Sequence, residues 1–212
     1  ARSWGLDYGE LDLDVDALRE RKNLVIDRLV NGLETLSKQR DVQLIHGRAV
    51  FEGSDQVRVQ GEAGVTHVKY DHAILASGST PISLPGTEFG EGGRIMGSKE
   101  ALALPEIPGT LLVVGAGYIG AELGSAYAMM GSQVTMVEMT DEILPGVDRD
   151  LVKPLARRFR QVYDAIHLGT TVELLEEDED GVTVTLAGDV EEPEQTFDRV
   201  LVAIGRRPNA QD

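Results

Sequence analysis

Val113-Val114-Gly115-Ala116-Gly117-Tyr118-Ile119-Gly120 is the stretch that decides how this chain folds. Thr110-Leu111-Leu112-Val113-Val114 is an unbroken aliphatic run, the pattern of a strand buried on both faces. It meets glycines in G-x-G-x-x-G spacing, and Ile119 to Met130 then reads as a helix. Each glycine has its own reason. Gly115 lets the chain turn sharply out of the strand. Gly117, without a side chain, lets backbone approach a pyrophosphate, and Gly120 lets the helix lie close to the sheet. The helix start offers amide hydrogens and a positive dipole end to phosphate oxygens.

Gln133 to Glu138 reads as a second strand, ending in an acid about twenty residues past the glycines, where a carboxylate accepts from ribose hydroxyls and repels a 2′-phosphate. Met139-Thr140-Asp141-Glu142 supplies no cation for such a phosphate, so NAD(H) is expected over NADP(H). Further on, Asp148 to Gln161 reads as a helix and Ala165 to Leu168 as a short strand. Thr171 to Leu175 and Val182 to Leu186 form a hairpin with a solvated acidic tip, and Arg199 to Ile204 is a last strand. The expectation is an α/β, Rossmann-like dinucleotide-binding domain: a parallel sheet with crossover helices and a small antiparallel insertion.

The earlier half has a different rhythm. Val15, Leu18, Val25, Leu29, Leu33 and Leu36 place one apolar face on a long helix from Asp14 to Asp41, capped by Asp12 or Asp14. Val42 to Ile45, Ala49 to Phe51, Gln56 to Val59 and Val65 to Val68 are short and β-rich, a small antiparallel meander, and Asp71 to Ala76 reads as a further strand. Pro81, Pro85, Gly86, Gly90, Gly92 and Gly93 mark a linker; Ser98 to Ala103 is a short helix with a Ser cap, stopped by Pro105. Ala1 to Asp12 reads as loop. The expected division is residues 1–80, linker 81–97, dinucleotide domain 98–205, and residues 206–212 leaving it.

The 212 residues carry 42% hydrophobic types, enough for a substantial core. A formal net charge of −16 argues against nucleic-acid or anionic-membrane partners, which need Lys and Arg to displace counterions. No apolar run has the length of a membrane span, and a cytoplasmic location is expected. With no cysteine, these residues hold no disulfide, thiolate metal site or cysteine nucleophile. His46, His67, His72 and His167 have no metal-ligand spacing, so no metal is expected. Met129, Met130, Met136 and Met139 read as gap-fillers around the first crossover helix and second strand.

Two further segments, Ile74-Leu75-Ala76-Ser77-Gly78-Ser79 and Leu201-Val202-Ala203-Ile204-Gly205-Arg206-Arg207-Pro208-Asn209, join Gly115 to Gly124 and Val137-Glu138-Met139 in an order that closely resembles the flavin-dependent pyridine nucleotide–disulfide oxidoreductases. The long helix and the Ala101-Leu102-Ala103-Leu104 approach to the glycines resemble the dihydrolipoamide dehydrogenase branch. The resemblance implies a NAD site of Gly115, Gly117, Tyr118, Ile119, Gly120, Glu122, Glu138, Met139, Val172 and Gly205. In it Glu138 meets the ribose, Val172 packs on adenine, and Ile119, Glu122 and Gly205 lie towards the nicotinamide; Glu122 is the one candidate for a catalytic part. It implies FAD contacts at Gly47, Arg48, Ala76, Ser77 and Gly78, with Ser77 where relatives usually have Thr. Relatives often have Arg where this chain has Thr80.

The resemblance also implies a longer parent enzyme. Its first flavin fingerprint, its C-x-x-x-x-C pair, its Gly-Asp motif and its dimerisation domain with a His–Glu pair have no counterpart here. The chain then holds the tail of an FAD-binding domain and most of the NAD-binding one. The implied activity is oxidation of dihydrolipoyl groups, with electrons passing through FAD to NAD. The implied partners are lipoyl domains, the acyltransferase core of 2-oxo acid dehydrogenase complexes and a second copy of the enzyme. The chain alone is expected to lack that activity and to bind FAD poorly. An NADH oxidase, a mercuric or glutathione reductase-like enzyme, and a non-catalytic NAD-binding module are the alternatives.

Overall fold

The computed structural model describes residues 13–210, which leaves the expected Ala1–Asp12 loop and the Asp12 cap outside the described residues. The chain divides into two compact units, one of residues 13–19 and 78–210, the other Glu20–Ser77. Helix α1 (Val15–Gln39) starts in the first and continues in the second. Asp14 caps it, its Oδ1 accepting from the Ala17 amide at 2.9 Å.

In the Glu20–Ser77 unit, β1 (Arg48–Phe51), β2 (Gln56–Gly61) and β3 (Gly64–Lys69) form the expected antiparallel meander, with Arg48 opposite Gln60 and Val57 opposite Val68. Two expectations are corrected. Residues 42–45 and 71–76 pair with no strand; Ile74 and Leu75 are 95% and 76% exposed. An apolar run becomes a strand only where a neighbour takes its amides and carbonyls, and neither segment has one among the described residues. The apolar face of α1 buries no residue.

The other unit carries the remaining elements. These are β4 (Ser79–Pro81), β5 (Ile95–Met96), α2 (Ser98–Ala103), β6 (Thr110–Val114), α3 (Tyr118–Met130), β7 (Gln133–Val137), α4 (Arg149–Val162) and β8 (Ala165–His167). Then come β9 (Thr171–Glu177), β10 (Val182–Ala187), β11 (Glu194–Phe197), β12 (Arg199–Val202) and β13 (Arg206–Pro208). Five strands make the parallel sheet, in the order β5-β12-β6-β7-β8.

Burial explains that order. The unbroken aliphatic strands β6 and β12 lie inside the sheet, and alternate side chains serve two cores. Leu111, Val113, Met136 and Leu201 share one with Tyr127 of α3 and Phe159 of α4. Leu112, Val114, Val137 and Val200 share the other with Val182, Val184 and Phe197 of the antiparallel sheet β11-β10-β9. Each such side chain removed from water contributes about 1.5–3 kcal/mol before the entropy of ordering it.

Five details differ from the expectation. The hairpin has a third strand, β11, and β12 ends at Val202. Residues 95–96, inside the glycine-rich stretch read as a linker, form edge strand β5 beside β12. Gly97, not Ser98, caps α2, its amide donating to the Glu100 carboxylate at 3.1 Å. Finally, β13 pairs antiparallel with β4, placing Arg207 opposite Thr80.

Candidate dinucleotide site

A cleft of about 610 Å³ opens where β6, β7 and β12 end. In an open parallel sheet, the ends of the strands are where loops diverge and leave room for a ligand. Eight of the ten residues named for NAD line it: Gly115, Gly117, Tyr118, Ile119, Glu138, Met139, Val172 and Gly205. Gly120 and Glu122 do not. Gly120 is buried at the floor of the turn, and Glu122 lies exposed further along α3.

The three glycines answer to different demands. Gly115 holds φ at +102°, and a Cβ there would sit 2.5 Å from the Ala203 carbonyl oxygen. At Gly120 a Cβ would collide with the Gly115 carbonyl oxygen and press on Val113, so helix and strand could not close. Gly117 is the opposite case. Its φ is −71° and a Cβ would meet nothing within 4 Å, so nothing in the protein itself requires glycine. The space it leaves open is the wall of the cleft at the first turn of α3. That turn carries no acidic residue, and its amides lack acceptors within the helix. The site therefore suits a phosphate ester, with room for the phosphate and no acidic side chain in the first turn of the helix.

Glu138 closes the other side. It is 7% exposed. Its Oε2 accepts from the Ala116 amide at 2.8 Å, and its Oε1 accepts from the Thr140 amide and hydroxyl, both at 2.9 Å. Ala116 is bonded at both ends, since its carbonyl accepts from the Leu144 amide at 2.9 Å. The glycine turn and the loop after β7 are thus fastened to one another. Arg149 fixes the far end of that loop, donating to the carbonyls of Ile143, Leu144 and Val147 and pairing with Glu142 at 3.0 Å. Arg149 is committed to that work.

The cleft also has walls that sequence reasoning did not name. Leu84, Pro145, Thr170 and Ile204 line it, as does Arg206. Arg206 was within reach of the sequence, since it belongs to the closing Gly-Arg-Arg-Pro-Asn run. Its guanidinium donates to the Ser79 hydroxyl at 2.8 Å and to the Ser98 hydroxyl at 3.2 Å. Leu84 and Thr170 lie in turns with no motif to mark them.

The residues read as flavin contacts are placed separately. Gly47 lines a cavity of the meander, where a Cβ would press on the Gln60 carbonyl, and Arg48 opens β1 opposite Gln60. Ala76, Ser77 and Gly78 are exposed in the segment that leads to β4. Neither unit by itself gathers these five into a cradle. Among the described residues no cluster of His, Asp and Glu could hold a metal ion, and no helix is long and apolar enough to cross a membrane.

Known proteins are similar to this chain. Dihydrolipoyl dehydrogenase of Halobacterium salinarum is 41% identical over 206 residues, which cover 95% of this chain and 43% of that protein. The chain thus spans less than half the length of the curated relatives it matches. Flavoprotein disulfide reductase RclA of Escherichia coli superposes with a TM-score of 0.79 at 29% identity, over 94% of this chain and 44% of that one. Water-forming NADH oxidase of Lactobacillus brevis, solved bound to NADH, superposes with a TM-score of 0.61 at 28% identity, over 76% of this chain and 37% of that one. The family described as pyridine nucleotide-disulphide oxidoreductase matches residues 9–212. A glycine turn joined to a strand-end acid, on a sheet shared with these relatives and within a match of that extent, makes this chain a member of the pyridine nucleotide–disulphide oxidoreductases.

Proposed function

We propose that the cleft binds NAD(H), and that the chain is the NAD-binding piece of a dihydrolipoyl dehydrogenase that works in the cytoplasm. The observation that carries this reading is the bond from Ala116 to Glu138, which sets a ribose acceptor beside the phosphate turn. The pyrophosphate lies along Gly115–Gly120 at the start of α3, and the adenosine ribose meets Glu138. Adenine packs between Met139 and Val172, and the nicotinamide extends towards Ile119, Glu122 and Gly205. Tyr118, exposed on the rim, covers the bound dinucleotide.

In the parent enzyme FAD would take electrons from dihydrolipoyl groups and pass them to NAD. Gly47, Arg48, Ala76, Ser77 and Gly78 are assigned to the flavin on the resemblance alone. The parent acts as a homodimer on lipoyl domains carried by the acyltransferase core of a 2-oxo acid dehydrogenase complex. Without cysteine the present chain has no dithiol to exchange, so lipoamide-dependent NADH production is expected to be absent from it. The similarity to an NADH oxidase solved with NADH supports a second reading, that of an oxidase parent with the same nucleotide site.

Calorimetric titration of the chain tests the cleft. NADH should bind at least about tenfold more tightly than NADPH, because the buried carboxylate repels a 2′-phosphate. Equal affinities would undo the part given to Glu138. Absence of binding by either would undo the cleft.

A further inference from the structure

Glu138 has little acceptor capacity to spare. A carboxylate offers about four lone-pair sites. Three are filled by Ala116 and Thr140, which leaves one, on Oε2. That one site is what a ribose hydroxyl can use. The Thr140 hydroxyl has a single proton and two acceptors within reach: Glu138 Oε1 at 2.9 Å and the Glu142 carbonyl oxygen at 3.2 Å. The Thr140 backbone is meanwhile fixed, its amide donating to Glu138 and its carbonyl accepting from Gly169 at 2.9 Å.

We infer that Thr140 is a positioning residue that sets Glu138 for the adenosine ribose. In the free protein its hydroxyl donates to Oε1 and holds the carboxylate against the glycine turn. With Oε1 held in this way, Oε2 keeps its open site where a ribose hydroxyl can donate to it. This rests on the reading of the cleft as a NAD site and adds to it a determinant of selectivity between the two nicotinamide dinucleotides.

The test uses the chain with Thr140→Val, which keeps the shape without the hydroxyl, and Thr140→Ser, which restores it. NADH affinity should fall about tenfold in the valine variant and stay within about twofold in the serine variant, with NADPH affinity unchanged in both. A valine variant that binds NADH as the original does would overturn the inference. So would proportionate loss of NADH and NADPH, which reports a general disturbance of the fold, or a serine variant as impaired as the valine one. The methyl resonance of Thr140 in the unsubstituted chain gives a reading that needs no variant. It should move as NADH saturates, and a resonance that stays put sinks the placement of Thr140 beside the ribose acceptor. If the unsubstituted chain binds no NADH, the cleft reading itself has failed, before any Thr140 variant is compared.

Discussion

A methyl group on residue 120 and one on residue 117 would have opposite consequences, although both glycines belong to one motif. At Gly120 it would be driven into the Gly115 carbonyl and Val113. Gly120→Ala should cost about 2–3 kcal/mol in urea unfolding, the scale of an overpacked core. At Gly117 it would stand in open space, at a φ any residue adopts. Gly117→Ala should cost under about 1 kcal/mol as an N-cap change, yet weaken NADH at least about tenfold by occupying the wall of the cleft. Equal losses of stability in the two variants would mean the turn is purely structural. Sequence spacing alone put the glycines together; the positions of a Cβ separate their roles.

At the scale of elements, two tyrosines fasten the crossover helices. Tyr127 of α3 donates to the Ala101 carbonyl at 2.8 Å, and Tyr163, just past α4, stacks on Phe159 and meets Ser125 of α3 at 3.2 Å. Burial raises both phenols above their ordinary value of 10.0. A folded-state pKa above the unfolded one means this contribution is fully present below pH 10 and is lost as pH rises through the folded values. Stability should therefore fall above about pH 10, and Tyr127→Phe or Tyr163→Phe should make the alkaline decline shallower. An unchanged alkaline slope in both variants would show that the helices are not held this way. The elements were unevenly legible. β6, α3 and β7 could be read closely because their periodicity and glycines are local signals. β11 (Glu194-Gln195-Thr196-Phe197) has no apolar alternation and is a strand only because β10 lies beside it. Residues 71–76 show the converse, an apolar run with β propensity but no partner. The Thr140 hydroxyl bond also had no signature in sequence, because it depends on where the turn after β7 places a side chain.

At the scale of the whole molecule, the two units differ in how much they bury. In the Glu20–Ser77 unit Val59 is the one buried apolar side chain, while Leu29 and Leu33 of α1 are about two-thirds exposed. The other unit has two cores around one sheet. Amides of β6 should resist hydrogen exchange roughly a hundredfold longer than those of β2, because exchange follows the local opening energy. Comparable protection would show that the meander is held as firmly as the sheet. The ribbon of β4 and β13 bears on the order in which the chain folds. Ser79 and Arg206 lie 127 residues apart in sequence. Closing so long a loop costs about 4 kcal/mol. The bonds of the ribbon, at about 1 kcal/mol net apiece, come to about that cost and leave little over. Assembly of the parallel sheet between the two segments shortens the loop the ribbon has to close. The ribbon thus ties two distant segments of the chain together at the rim of the cleft, beside Gly205 and Arg206.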